Sequence, residues 1–198
     1  METPGPAGPE PHRAAHPLEQ APDGLLAGRA TDGDDTAFEI LVRRHGGRLL
    51  ALATRLLDNT TEAEDAVQES FVAAWRRLPD FRGDAEFGTW MYRIVTNRCL
   101  NVLRARRPTQ PLDGLPEPAA LDHQSSPALL AESRASSEAL ARALHTLTPE
   151  QRACWVLREL HGLGYEDIAS AVGIGEPAVR GRIHRARRAL TEVMQAWR

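Results

Sequence analysis

The densest chemistry in this chain of 198 residues is arginine, set on one short helical segment. From Pro177 to Leu190 the sequence PAVRGRIHRARRAL holds five arginines and no acid. Wound at about 100° per residue, Val179, Ile183, Ala186 and Leu190 fall on one side. Gly181, His184, Arg185 and Arg188 fall opposite, with Arg180 and Arg187 on one flank and Arg182 on the other. A solvated helix normally mixes signs, so a surface this one-sided is built to lie against phosphates. Gly181 costs the helix about 1 kcal/mol relative to alanine, and its place on the open face marks where DNA backbone or bases approach. The competing reading is an exposed basic helix with no ligand.

A second constellation lies from Thr89 to Arg107. Arg93, Arg98, Arg104, Arg106 and Arg107 are interleaved with Trp90, Tyr92, Asn97 and Asn101. Aromatic faces on which bases stack, beside cations that hold a backbone, are what single-stranded DNA requires. Between Asp58 and Ser70 the charge reverses, with five acids and no base. Net charge is only −3, so the partners are announced by segregation of charge and not by its sum. Residue chemistry also excludes. There is no phosphate-binding glycine loop of the Walker type, no zinc-ligand spacing and no nucleophile elbow. Cys99 and Cys154 are too few for a disulfide framework or a metal site. Neither catalytic residues, nor a cofactor, nor a metal is expected.

The elements that must carry these residues read as helices throughout, and no strand pattern occurs. Asp34 or Asp35 caps a long helix with apolar positions Phe38, Leu41, Val42, His45, Leu49, Leu52, Ala53 and Leu56, and Gly46–Gly47 invites a kink in it. His45 on this stripe reads as a satisfied boundary histidine. Thr61 with Glu64 predicts a capping box for the next helix, whose inner face is Ala63, Val67, Phe71, Ala74, Trp75 and Leu78. Asp65, Gln68, Glu69, Val72 and Arg76 face outward; on residues alone they read as a solvated acidic face. Phe81-Arg82-Gly83-Asp84 is a loop, and a third helix starts near Thr89. Further on, Thr148-Pro149 with Gln151 opens another helix. A short one runs from about Tyr165 to Val172, Gly173 makes the turn, and the arginine helix follows from Glu176–Pro177. Short helix, glycine turn and basic helix is the helix-turn-helix arrangement, whose last helix enters the major groove.

The fold class expected is all-α, as two small helical domains. Residues 1–23, with six prolines, read as a disordered extension. Residues 24–107 form the first domain and 132–198 the second, with an acidic, proline-rich linker over 108–131. No stretch approaches the roughly 20 apolar residues of a membrane span, and the N-terminus lacks the apolar run of a signal peptide. With only two cysteines, this points to a soluble cytoplasmic protein without membrane insertion.

Four ordered segments carry a more specific resemblance. They are Asp65-Ala66-Val67-Gln68-Glu69-Ser70-Phe71, Phe81-Arg82-Gly83-Asp84, Thr89-Trp90-Met91-Tyr92-Arg93-Ile94, and Leu157-Arg158-Glu159-Leu160 through Gly164-Tyr165-Glu166-Asp167-Ile168-Ala169. From Gly24 to Leu190 the chain resembles RNA polymerase sigma factors of the extracytoplasmic-function class, which keep only the second and fourth conserved regions. The resemblance implies a transcription initiation factor that brings core RNA polymerase to promoter DNA and has no catalysis of its own. It assigns Asp65, Gln68, Glu69, Val72 and Arg76 to docking on the coiled coil of the polymerase's largest subunit, against the solvated-face reading, with the fourth region at the flap. It assigns Arg82, Trp90, Tyr92, Arg93, Asn97, Arg98, Asn101 and Arg104 to the −10 element, where a base flipped from a melted strand is held in a loop pocket. Pro177, Ala178, Arg180, Gly181, Arg182, His184, Arg185, Arg187 and Arg188 fall to the −35 element, with Arg180, Gly181 and His184 at base edges and Arg182, Arg185 and Arg187 at the backbone.

The linker resembles the family's segment near the polymerase cleft and RNA exit. An anti-sigma factor is implied as a further partner, and the nucleoid as the location when active. With nothing after Arg198, a fused C-terminal regulator is not expected. Ala178 and Gly181 stand where the family commonly has threonine and serine, so the −35 preference does not carry over. The alternative is a stand-alone helix-turn-helix regulator, which calls for a dimer and two half-sites about one helical turn apart.

Overall fold

The computed structural model describes residues 17–81, 83, 85–106 and 139–195, and among these every regular element is a helix. A 3-10 turn, Pro17–Gln20, leads into α1 (Asp23–Thr31), whose nine residues are too few for periodicity to announce. Residues 17–23, expected to be part of a disordered extension, are therefore folded. Leu18 buries itself, Glu19 pairs with Arg43, and Asp23 pairs with Arg44.

Asp34 caps α2 (Asp35–Leu57) by accepting the Ala37 N–H at 3.2 Å, and this bond holds its carboxyl below the usual carboxylate range. The helix runs unbroken through Gly46–Gly47. It stops at Asp58, which takes a left-handed conformation (φ 56°). That reversal sets Asn59 in extended backbone, so Asn59, accepting from Glu62 N–H at 3.0 Å, caps α3 (Thr60–Arg77). The capping box expected at Thr61 is replaced by this cap, because the chain turns two residues earlier. A 3-10 turn (Leu78–Asp80) follows, and α4 (Phe87–Ala105) starts two residues ahead of Thr89.

These four helices share a core of Leu26, Leu41, Leu52, Leu56, Phe87, Met91 and Leu100, each at most 1% exposed. Each such burial stabilises by about 1.5–3 kcal/mol. The linker residues 108–131 lie outside the described residues. The chain re-enters as α5 (139–145), with Ala143 and Leu144 buried.

Thr148 caps α6 (Pro149–Glu159) with both arms of the capping box in place: Gln151 N–H to Thr148 Oγ1 at 3.3 Å, and Thr148 N–H to Gln151 Oε1 at 3.1 Å. α7 (Tyr165–Val172) ends at left-handed Gly173 (φ 73°), a position only glycine takes without strain. α8 (Glu176–Gln195) buries Val179, Ile183, Ala186 and Leu190, the face read from the sequence. The two helix groups touch: α4 packs on α7 and α2 on α6. Three polar contacts among the described residues cross between them, one of them His145 Nε2 to Asp58 Oδ2 at 2.7 Å. Arg152 of α6 donates to the Leu56 carbonyl at 2.9 Å, and Tyr92 Oη meets His161 Nδ1 at 3.0 Å.

Candidate nucleic-acid and docking interfaces

Asp65, Gln68, Glu69, Val72 and Arg76 all stand exposed on one side of α3. Val72 is 47% exposed and Trp75, expected on the inner face, is 38% exposed. The two form one wall of an apolar groove of about 520 Å³, closed on the other side by Phe38, Val42 and Leu50 of α2. Phe38 braces it, edge-on to Trp75 at 4.8 Å and to Phe71 at 6.3 Å between ring centroids. Gln68 and Glu64 line the rim. A carboxylate-edged apolar trough accepts a partner that brings apolar side chains with cations beside them. Sequence reading found the outer face of α3 and missed the α2 wall, because Phe38 and Val42 fit a core stripe equally well and Leu50 stood outside that stripe. The available signal was a stripe wider than one neighbouring helix covers.

The α4 set divides by environment. Trp90 packs on Phe81 at 5.2 Å and on Phe87 at 5.7 Å, so its ring supports the loop ahead of the helix. His45 reaches the same cluster, 5.4 Å from Phe87, with Nε2 held by Asp23 Oδ2 at 2.7 Å; it is the satisfied boundary histidine expected. Arg82 lies outside the described residues. Tyr92 is half-buried against His161, and burial pushes its phenol above the ordinary value. Arg93 and Asn97 are exposed. Arg104 donates to Asn101 at 2.9 Å, which orders both side chains. Arg98 pairs with Glu69 at 2.5 Å, so two residues expected to serve different partners hold each other across α3 and α4.

On α8 the open face is as read: Pro177, Arg180, His184, Arg185, Arg187 and Arg188 are exposed, and Ala178, Gly181 and Arg182 half-buried. The absence of balancing acid within Pro177–Leu190 does not survive folding. Glu176 pairs with Arg180 at 3.0 Å, Glu192 with Arg188 at 3.0 Å, and Glu159 of α6 with Arg187 at 2.7 Å, which raises the Arg187 pKa further. Arg182 and Arg185 make no ion pair among the described residues and supply the uncompensated charge. Arg185 lies over Gly181: a Cβ there would meet its guanidinium at 3.4 Å and no backbone from outside α8. Glycine is thus not demanded by the protein itself. Among the described residues no group of His, Cys, Asp and Glu is placed to hold a metal.

The family model for sigma-70 region 2 matches residues 41–109, and the one for sigma-70 region 4 matches residues 137–190. The ECF RNA polymerase sigma-E factor of Salmonella typhimurium is 37% identical over 185 residues, covering 89% of this chain and 96% of the relative. The chain belongs to the extracytoplasmic-function class of sigma-70 factors. The RNA polymerase sigma-H factor of Pseudomonas aeruginosa is 36% identical over 187 residues, 90% of this sigma factor and 96% of its own length.

Among solved structures, CnrH in complex with the cytosolic domain of CnrY shares 32% identity with a TM-score of 0.66, over 88% of this sigma factor and 97% of that chain. The sigma factor RpoE of Bartonella quintana, in complex with the anti-sigma factor NepR, shares the fold at 24% identity and TM-score 0.65, over 81% and 98%. The all-α fold is therefore the family's own. Both matched regions contain the surfaces described above: α3 and α4 in the first, α8 in the second.

Proposed function

We propose that this sigma factor docks on core RNA polymerase through α3 and the α2–α3 groove, and directs it to promoters through α4 and α8. Asp65, Gln68, Glu69, Val72 and Arg76 meet the coiled coil of the largest subunit, with Phe38, Val42 and Trp75 receiving its apolar side chains. The second helix group lies at the flap. Arg93, Asn97, Arg98, Asn101 and Arg104 face the melted −10 strand, Trp90 supports the loop that holds a flipped base, and Tyr92 joins them once it leaves His161. Arg182 and Arg185 hold phosphates of the −35 duplex while Arg180 and His184 reach base edges. The factor acts in the cytoplasm, at the nucleoid when engaged, and contributes no catalysis of its own. An anti-sigma protein holds it inactive; the two solved relatives named above, both bound to partner proteins, support this reading.

One observation carries the proposal: an exposed, acid-edged apolar groove on α2 and α3 and an exposed arginine helix, α8, occur on different helices of one small fold. A stand-alone regulator has use for the second only. The test is run-off transcription from a pool of genomic promoters with purified core polymerase. Addition of the protein should give discrete new transcripts. Asp65→Ala and Gln68→Ala suit the docking arm, since neither residue has an ion pair among the described residues, whereas Glu69→Ala also releases Arg98. These variants should lose transcripts by losing core polymerase, and Arg182→Ala with Arg185→Ala by losing the promoter. Tight, polymerase-independent binding to duplex with no new transcripts would replace this reading by the stand-alone regulator.

A further inference from the structure

Tyr165 opens α7, the helix that precedes the DNA-reading helix, and its ring carries two cations. The guanidinium carbon of Arg158 lies 4.7 Å from the ring centroid and that of Arg180 lies 4.8 Å from it. Each arginine is fixed at a second point. Arg158 donates to the Leu163 carbonyl at 2.7 Å, in the turn between α6 and α7. Arg180 donates to Glu176 Oε2 at 3.0 Å, one helical turn back along α8. Tyr165 is itself half-buried and packed on the core, so it is a fixed platform and not a loose ring.

Arginine has a long side chain with much rotamer freedom to lose, and a guanidinium recognises a base through its plane and its edge. At Arg180 the ring takes one face and Glu176 takes one N–H. The remaining donors are left at the outer edge of a side chain that is 62% exposed, in the first two turns of the helix, where such helices meet bases. No other arginine of α8 stacks on an aromatic ring among the described residues. Arg187 donates a hydrogen bond to Glu159 at 2.7 Å within an ion pair, with no ring beneath it, and Arg185 lies over Gly181.

We infer that Tyr165 is a positioning residue for promoter specificity. It holds the Arg180 guanidinium in the plane that forms two hydrogen bonds to a guanine edge in the upstream duplex, while making no contact with DNA itself. The inference rests on the proposed function and deepens its −35 surface. It also separates the arginines of α8 into one oriented reader and several phosphate holders.

The experiment is transcription by polymerase carrying this factor from promoters randomised across the upstream duplex. Arg180→Ala should abolish the preference for G·C at one base pair, by about tenfold, and so identify the pair that Arg180 reads. Tyr165→Leu keeps a comparable apolar body but removes the stacking face. It should lose preference at that same pair and nowhere else, with no further loss when combined with Arg180→Ala. Tyr165→Phe keeps the ring and should select as the unaltered protein does. In the free protein, the ring-current displacement of the Arg180 Nε–H proton should vanish in Tyr165→Leu and persist in Tyr165→Phe.

A Tyr165→Leu protein that weakens every position equally, or retains the guanine preference, overturns the inference. So does an Arg180→Ala protein with unaltered selectivity. If the unaltered factor itself supports no transcription, it is the proposed function that has failed.

Discussion

Replacement of the buried Arg152 should be among the most damaging single changes in this protein. The residue is 7% exposed. Its Nε donates to the Leu144 carbonyl at 3.0 Å and a terminal nitrogen donates to the Leu56 carbonyl at 2.9 Å. Leu56 belongs to the last turn of α2, where carbonyls have no partner within the helix and the negative end of the helix dipole favours a cation. Arg106 completes the same terminus from α4, donating to the Leu57 carbonyl at 3.2 Å. Burial lowers the Arg152 pKa, Asp58 opposes that shift and Arg106 reinforces it; the group stays charged.

Arg152→Met keeps the length of the side chain and removes both donors. Two buried carbonyls lose their partner at about 1–3 kcal/mol each. Relief of the buried charge offsets part of this, so the net loss is about 2–4 kcal/mol by the same accounting. Leu144 lies beside α6 in sequence, whereas Leu56 lies across the boundary between the helix groups. The loss should therefore appear both in urea unfolding of the full chain and in greater separation of fluorescent labels on α2 and α6. Arg152→Lys, which reaches one carbonyl, should fall between. Unfolding of Arg152→Met within about 0.5 kcal/mol of the unaltered protein, the range of an ordinary surface substitution, would refute the reasoning. So would a full loss of stability with unchanged label distance.

Gly181→Ala should raise stability by about 1 kcal/mol, the helix-interior difference between the two residues, because the added Cβ meets only the movable end of Arg185; calorimetry tests this, and DNA titration with the same variant reports whether promoter backbone comes close. His161 has its pKa pulled from 6.5 down to about 4, first by burial and then by Arg55 and Arg48. A packed imidazole that refuses a proton the freed one accepts makes the packed state lose stability as pH falls from about 6.5 towards 4, and not above. His161→Gln should lack that part of the slope in urea midpoints at pH 7, 6 and 5; identical slopes would refute it. Burial pushes the Cys99 thiol up to about 12 and that of Cys154 up to about 11. Both should resist a thiol-reactive dye in the folded protein and react together on unfolding; prompt labelling of either would show that its helix opens.

Where the structure agreed with the sequence, the information was local. The Thr148–Gln151 capping box, the left-handed stop at Gly173 and the buried face Val179, Ile183, Ala186 and Leu190 depend on neighbours within about a turn or two of helix, and those neighbours are adjacent in sequence. Family membership was legible for the same reason, since its motifs are short runs. The early errors were also local. Two residues able to cap, Asn59 and Thr61, stood close together, and only the backbone reversal at Asp58 chose between them.

What the tertiary structure decided depends on elements far apart in the chain. Arg187 finds Glu159 across 28 residues, Arg98 finds Glu69, and Arg152 finds the end of α2 across 96 residues. The same packing turned part of an apparent core stripe into a groove wall at Phe38, Val42 and Trp75, and set two arginines on the Tyr165 ring. A helical repeat fixes which side of each helix is apolar, but not which neighbour covers it or where the cover stops. Charge composition fixes how many arginines lack a nearby acid, but only folding supplies the acids from other helices. Thus the sequence alone determined which faces exist, and packing determined which of them remain open to a partner.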